Sequence, residues 1–315
     1  MTAICNVDVV GVGLNATDTL ISLPHFPVSG SKVAFQSASV LPGGQTATAM
    51  IACQNWGLRT RYVGKLGDDA AADVHRQAFA RQGVEAKLLS ATGCDSQQAF
   101  ILVAEDGERT VLWKRDSRVT LQPEEIVREW IVSARALLVD GHDTAAAAQA
   151  ASWARSAGIP VISDLDELYP GVEQLLSNVD YLITSRDIPG RFFAEDDLRK
   201  SLPALRDKFG CRLTAATLGH EGVLAWDGTQ FHYSPAYRVD TVDTTGAGDI
   251  FHAGFIYGLL QDWPLQRQLD FACAAAAANC TGVGARGGIW SIETIDRLIS
   301  SGQRYAPAFD LQEFG

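Results

Sequence analysis

The chain predicts an α/β fold: a mainly parallel sheet with helices on both faces, plus a small β-sheet lid. Two observations carry that expectation. From Ala134 onward, apolar strand-like segments alternate with helical ones, the rhythm of βα units in a parallel sheet. Before that point, two β-rich excursions, at about 14–41 and 97–118, interrupt the rhythm and are spaced so that they could pair into one lid. No internal repeat, low-complexity tract or linker divides the 315 residues, so a single unit over 1–315 is expected.

The elements follow in order. Asn6 to Gly13 reads as an apolar strand, and Thr17 to Val40 as short extended pieces broken by Pro24, Pro27 and Gly30. "GGQTATAMIACQNWG" opens a helix after paired glycines and closes it at Gly57. "RYVGKLG" is a strand, and "DDAAADVHRQAFARQG" a helix with acids in its first turn and Gly83 beyond its end. "QAFILVAEDGERTVLWKR" is two extended runs around the hairpin signal Asp106-Gly107. Strands at "ARALLVDG", "IPVISD", "VDYLITS" and "CRLTAATLG" then alternate with helices at Thr144 to Ala157 and Val172 to Leu176.

Composition narrows the function. A net charge of −11 and a pI near 5.0 argue against a nucleic-acid backbone as partner. There is no run of about 18 apolar residues to span a bilayer. The N-terminus has no basic region before its apolar run, so no signal peptide is expected. Six cysteines form no CxxC pair and have no histidine at metal spacing; reduced, mostly buried thiols and a cytoplasmic location are expected.

"VDTTGAGDIFHAGF" holds the most chemistry. A glycine-rich turn feeding a helix leaves backbone N–H groups without partners at the positive end of the helix dipole, a place that binds phosphate. Asp249, in the first turn, would repel a resting anion. It makes sense if a hydroxyl must lose its proton while attacking that phosphate, and a first-turn position is expected to lower its pKa and keep it ionised.

This string resembles the C-terminal signature of the PfkB/ribokinase family of sugar and nucleoside kinases. "PGGQTATAMIACQNWGLRTRYVGKLGDDAAADV" is similar to its N-terminal signature. "TLGHEGVLAW" resembles its nucleotide loop, and "AAAAANCTGVGARGG" the helix closing its adenine pocket. The order and spacing fit across nearly the whole chain. The resemblance implies a ribokinase-like three-layer α/β/α core with a lid over the sugar, ATP and Mg2+ as cosubstrate and cofactor, and a homodimer made through the lids. It implies Asp249 as catalytic base, with Gly246, Ala247 and Gly248 in the anion hole. Asp18, Gly43 and Gly44 would hold sugar hydroxyls. Thr217, Gly219 and Gly222 would cradle the nucleotide, with Asn279 on the adenine side. Asp243 and Thr245 match positions lining a monovalent cation site, for which K+ is the candidate.

Two departures stand out. Thr48 occupies the place where the family usually has an asparagine, which leaves the exact sugar open. In "YLITSRDIPG" the family's Asn-x-x-Glu motif appears as Ser185 and Ile188, so the magnesium-organising glutamate is missing, with Asp187 beside it. A similar serine-containing string occurs in ketohexokinases, and some sulfosugar kinases carry a threonine at the Thr48 position. Gln45 and Thr48 offer short polar groups to a sugar, and Asp140 ends a strand where ketohexokinase-like proteins place a carboxylate. Asp164 and Asp166 end the next strand. Arg115 ("VLWKR") suits a sugar or an acidic substituent, while Trp113 alternates with Lys114 on one strand and could face away.

A ketohexose such as fructose is therefore the expected acceptor. The alternative is an anionic sugar (phospho- or sulfo-substituted) if Arg115 points inward, or a nucleoside. Two readings of another class compete. Gly11, Gly13 and Ala16 fit a dinucleotide-binding fingerprint, but "TDTLISLPHFP" after them is not a helix. A catalytically idle binder would explain the missing glutamate but not Asp249.

Overall fold

The computed structural model describes residues 6–105 and 109–309. The hairpin signal Asp106-Gly107 lies outside the described residues, as does Cys5. The N-terminal part runs β1 (Val9–Val12), β2 (Ala16–Leu23), β3 (Ser37–Gly43), α1 (Gln45–Asn55), β4 (Thr60–Leu66), α2 (Ala70–Gln82), β5 (Glu85–Ser90), β6 (Gln98–Ala104) and β7 (Arg109–Lys114). The middle continues with α3 (Arg128–Val132), β8 (Ala136–Asp140), α4 (Thr144–Ser156), β9 (Val161–Leu165), α5 (Val172–Leu176), β10 (Tyr181–Ser185), α6 (Ile188–Phe193) and α7 (Leu198–Phe209). It ends with β11 (Leu213–Thr217), β12 (Val223–Trp226), β13 (Phe231–Ser234), α8 (Ala247–Leu260), α9 (Leu265–Asn279) and α10 (Ile292–Ser301).

Nine strands form the main sheet in the order β13-β12-β11-β10-β9-β8-β1-β4-β5, parallel from β11 to β5, with β12 and β13 antiparallel at one edge. Continuous apolar strands belong at the centre of such a sheet, and every residue of β1 and β8 is buried. Successive side chains serve opposite faces: Val9 joins the core with α1, α8 and α9, while Val10 and Val12 join the core with α4. Helix ends match their chemistry. Asp69 caps α2 by accepting from the Ala72 N–H, and left-handed Gly83 ends that helix.

The second sheet, β3-β2-β6-β7, is built from the two β excursions, with β2 and β6 parallel and its outer pairs antiparallel. After "GVGLNA" the chain enters β2 and no helix, which removes the dinucleotide fingerprint. Because paired residues share a face, the register Asp18↔Ala99↔Trp113 puts Trp113 on the same face of the lid as Asp18. Val40, Phe100 and Leu112 are exposed on the other face. No helix among the described residues is long and apolar enough to cross a membrane.

Candidate active site

The parallel strands end in carboxylates: Asp140 on β8 stands in register with Asp164 on β9, and Asp166 follows. In open α/β sheets the ligand crevice lies at this end. The first turn of α8 is brought to it. Gly246 is left-handed (φ 75°), and a methyl group there would overlap the Ala285 backbone, so the turn packs directly on the loop after α9. The Ala247 N–H reaches back to the Thr244 carbonyl (3.3 Å) and the Ile250 N–H to that of Gly246 (2.9 Å). The N–H groups of Gly248 and Asp249 have no intrahelical partner, and Ala247 and Gly248 line an adjoining cavity.

Asp249 corrects one expectation. Its pKa is raised, to about 8, first by burial and then by the charges of Asp164, Asp166 and Asp18, with His252 pulling the other way. The helix end does not win, because burial and three further carboxylates, from β2 and the end of β9, disfavour the charged form. Asp164 is also raised, by burial and by Asp166. His252, which the sequence reading passed over although it stands in the signature string, is buried, and burial lowers its pKa. Its Nδ1 lies 2.8 Å from the Gly248 carbonyl and 3.3 Å from Asp164 Oδ2, tying the turn to β9.

On the lid side, Asp18 is buried, with its pKa raised to about 7 by burial; the Arg286 guanidinium opposes the rise and the Asp243 charge adds to it. A side chain on Gly43 would overlap the Asp18 carboxylate, and one on Gly44 (φ 90°) would overlap the chain at Leu14–Ala16. The paired glycines thus let the protein's own chain approach, beside any role toward a sugar. The Gln45 side chain helps hold down the pKa of Asp166, while its buried Oε1 has no partner. Thr48 is fully buried, and its hydroxyl accepts from Arg286 Nε (3.2 Å). Arg286 Nη2 donates to the Gly43 carbonyl (3.1 Å). Sequence reasoning did not single out Arg286, although it lies in the quoted glycine-rich string after α9.

Several expected ligand residues are spent elsewhere. Asp140 is fully buried; its Oδ2 accepts from the Leu14 N–H (2.6 Å) and Thr46 Oγ1 (2.7 Å), and its Oδ1 from the His142 N–H (3.1 Å). It braces the chain that leaves β1. Arg115 pairs with buried Asp143 and donates to the His142 carbonyl (3.2 Å), so its charge is neutralised below the site. Lys114 pairs with Asp95 at 2.8 Å.

Asp243 Oδ1 accepts from the Thr245 N–H (2.9 Å) and hydroxyl (2.7 Å), and Oδ2 from the Gly284 N–H (2.7 Å). The Thr245 carbonyl takes the Asn279 amide (3.0 Å). These bonds brace the loop before α8 against the Gly284 turn and α9.

The loop expected to cradle a nucleotide lines a cavity of about 220 Å³, in which Thr217, Gly219 and Gly222 face Phe251, Ala276, Ala277 and Tyr305. Ser185 stands in register with Thr217 at its edge. Asn279, expected on the adenine side, is buried outside this lining. Its amide donates to Thr245 and Ala285 carbonyls (3.0 and 3.1 Å), and its Oδ1 accepts from the Gly288 N–H (3.2 Å). Ile188, at the place expected to face phosphates, is 0% exposed and packs in the α4-side core. Asp187 pairs with Arg191 (3.2 Å). In the same turn Arg186 pairs with Glu221 of the nucleotide loop.

The pfkB family carbohydrate kinase profile matches residues 8–292. The chain is 26% identical over 283 residues to a ribokinase of Haemophilus influenzae, covering 86% of this chain and 92% of that protein. It is 28% identical over 290 residues to an ATP-dependent ribose-1-phosphate kinase of Halopiger xanaduensis, covering 89% and 94%. Its backbone matches a structure of Arabidopsis thaliana ribokinase complexed with ribose and ATP at a TM-score of 0.84, with 22% identity, covering 94% of this chain and 99% of that one. The ribokinase-like fold, the carboxylate-bearing α8 turn and the cavity beside it thus meet in one protein, and the chain belongs to the pfkB family of carbohydrate kinases.

Proposed function

We propose that this kinase transfers the γ-phosphoryl group of ATP to a primary hydroxyl of a small neutral sugar, with a ketohexose such as fructose as the first candidate. The observation that carries the reading is the position of Asp249: at the mouth of the α8 turn, beside the cavity, and within electrostatic reach of Asp18. Phosphoryl transfer asks a protein mainly for positioning and charge stabilisation. In this reading the cavity at Thr217, Gly219 and Gly222 takes the nucleotide, and the Gly248 and Asp249 N–H groups meet the phosphoryl oxygens. Asp249 takes the proton from the attacking hydroxyl, a task suited to a carboxylate whose pKa has been lifted toward neutrality. Asp18 accepts hydrogen bonds from other hydroxyls.

Mutual repulsion among Asp164, Asp166 and Asp249 is what a dication would relieve, which fits a Mg2+ carried on the triphosphate. When bound, that ion neutralises charge on the phosphate oxygens. Among the described residues no group of three His, Cys, Asp or Glu is placed to hold a metal directly, consistent with an ion held mainly by phosphates and water. Neutral sugars are favoured over anionic ones because Arg115 is committed to Asp143 and the carboxylates gathered around Asp249 would repel an acidic substituent. The exposed lid face of Val40, Phe100 and Leu112 supports pairing with a second copy.

An ADP-release screen over ketohexoses, aldohexoses, ribose, sugar acids, sugar phosphates, sulfosugars and nucleosides tests the reading. A ketohexose should give the highest kcat/KM. Preference for a nucleoside or a sugar phosphate would overturn the neutral-sugar assignment.

A further inference from the structure

Arg286 stands on the acceptor side with no part yet in the proposed chemistry. Its neighbours fix it in place: the Gly284 N–H donates to Asp243 (2.7 Å), the Ala285 carbonyl accepts from Asn279 (3.1 Å), and the Gly288 N–H donates to Asn279 (3.2 Å). The side chain crosses to the opposite end of the sequence, where Nε donates to Thr48 Oγ1 and Nη2 to the Gly43 carbonyl. A guanidinium has five N–H donors, so these bonds leave three without a protein partner among the described residues. The charges of both Asp249 and Asp18 act on it, yet neither carboxylate forms an ion pair with it within 4.0 Å. The guanidinium is thus within electrostatic reach of two carboxylates with which it forms no direct ion pair. A hydroxyl fits there because it donates to a carboxylate and accepts from a guanidinium at once.

We infer that Arg286 binds the acceptor directly, its terminal nitrogens donating to the oxygens of a vicinal diol whose protons go to Asp18, and that this trio selects a neutral polyol. Thr48, too deeply buried to reach a substrate itself, acts through Arg286 as its anchor. A planar fork is needed, because a lysine presents a single point charge and cannot hold Thr48, Gly43 and a diol together. This inference rests on the kinase reading above.

The test measures kcat and KM for D-fructose, D-ribose and MgATP in wild type, Arg286→Gln and Arg286→Lys, with ATP affinity by calorimetry and a thermal melt as controls. Losing hydrogen bonds from a charged donor should raise the sugar KM by about tenfold to hundredfold in Arg286→Gln, with ATP affinity within about twofold of wild type. Arg286→Lys should restore only part of the loss. An unchanged sugar KM in Arg286→Gln overturns the inference and leaves the kinase reading intact. An equal loss of ATP affinity also overturns it, since that is the signature of a residue that only holds the loop. Wild-type silence on both sugars overturns the neutral-sugar reading, and the inference with it, while leaving the kinase assignment standing.

Discussion

Replacing Ile188 with glutamate separates two accounts of the turn after β10. If position 188 faces the phosphates, a carboxylate there should change how activity depends on Mg2+. The structure instead places Ile188 wholly inside the core with Leu165, Leu176, Leu205 and Phe209. Removing the buried isoleucine costs about 2–3 kcal/mol of apolar burial. Holding an unpaired glutamate neutral at pH 7, against an ordinary pKa of about 4.3, costs roughly 1.36 kcal/mol per pH unit, or about 4 kcal/mol. The sum, on the order of 6 kcal/mol, rivals the whole stability of an ordinary domain, about 5–15 kcal/mol. Urea melts at pH 5 and pH 7 are the assay. Ile188→Glu should be strongly destabilised at pH 7 and less so at pH 5, and any folded fraction should keep the wild-type Mg2+ dependence. Near wild-type stability with an altered Mg2+ dependence would refute the core placement.

Three further expectations follow from the same geometry. Asp243→Ala removes two hydrogen bonds from Thr245, just before α8, and one from the Gly284 loop, so it should lower the melting temperature and kcat together; rescue of the variant by added K+ would favour a cation site over a brace. Asp18 has a folded pKa raised from an ordinary carboxylate value to about 7, so its contribution to stability is fully present below about pH 4 and is lost as pH rises toward and through 7. The ligand-free protein should therefore lose stability across that window, and Asp18→Asn should flatten the slope; an unchanged slope would contradict the burial of a raised carboxylate. With Asp249 raised to about 8 as the base, kcat/KM should climb as pH rises through the neutral range, whereas an acid limb confined to pH 4–5 would show an ordinary carboxylate.

What the sequence makes legible is local. Gly246 before an apolar helix, Gly83 behind a capped one, and unbroken apolar strands from Ala136 onward are readable because each rests on a few adjacent residues. The charged groups were harder. Asp249 reads as an ionised first-turn acid until the fold brings Asp164 and Asp166 to it from another strand. Asp140 and Arg115 read as ligands because their partners, Thr46 and Asp143, are named only by the tertiary structure. Arg286 stands 238 positions from Thr48, and no spacing rule connects them. Ile188 reads as a missing acid because the motif position does not reveal which way a side chain turns at the start of α6.

The central claim is that Asp249 removes the acceptor proton, and it is tested most directly by steady-state kinetics of Asp249→Asn on the best sugar, beside ATP affinity by calorimetry. The account predicts a fall in kcat of about two to four orders of magnitude with ATP affinity little changed. Near wild-type turnover in that variant would contradict it.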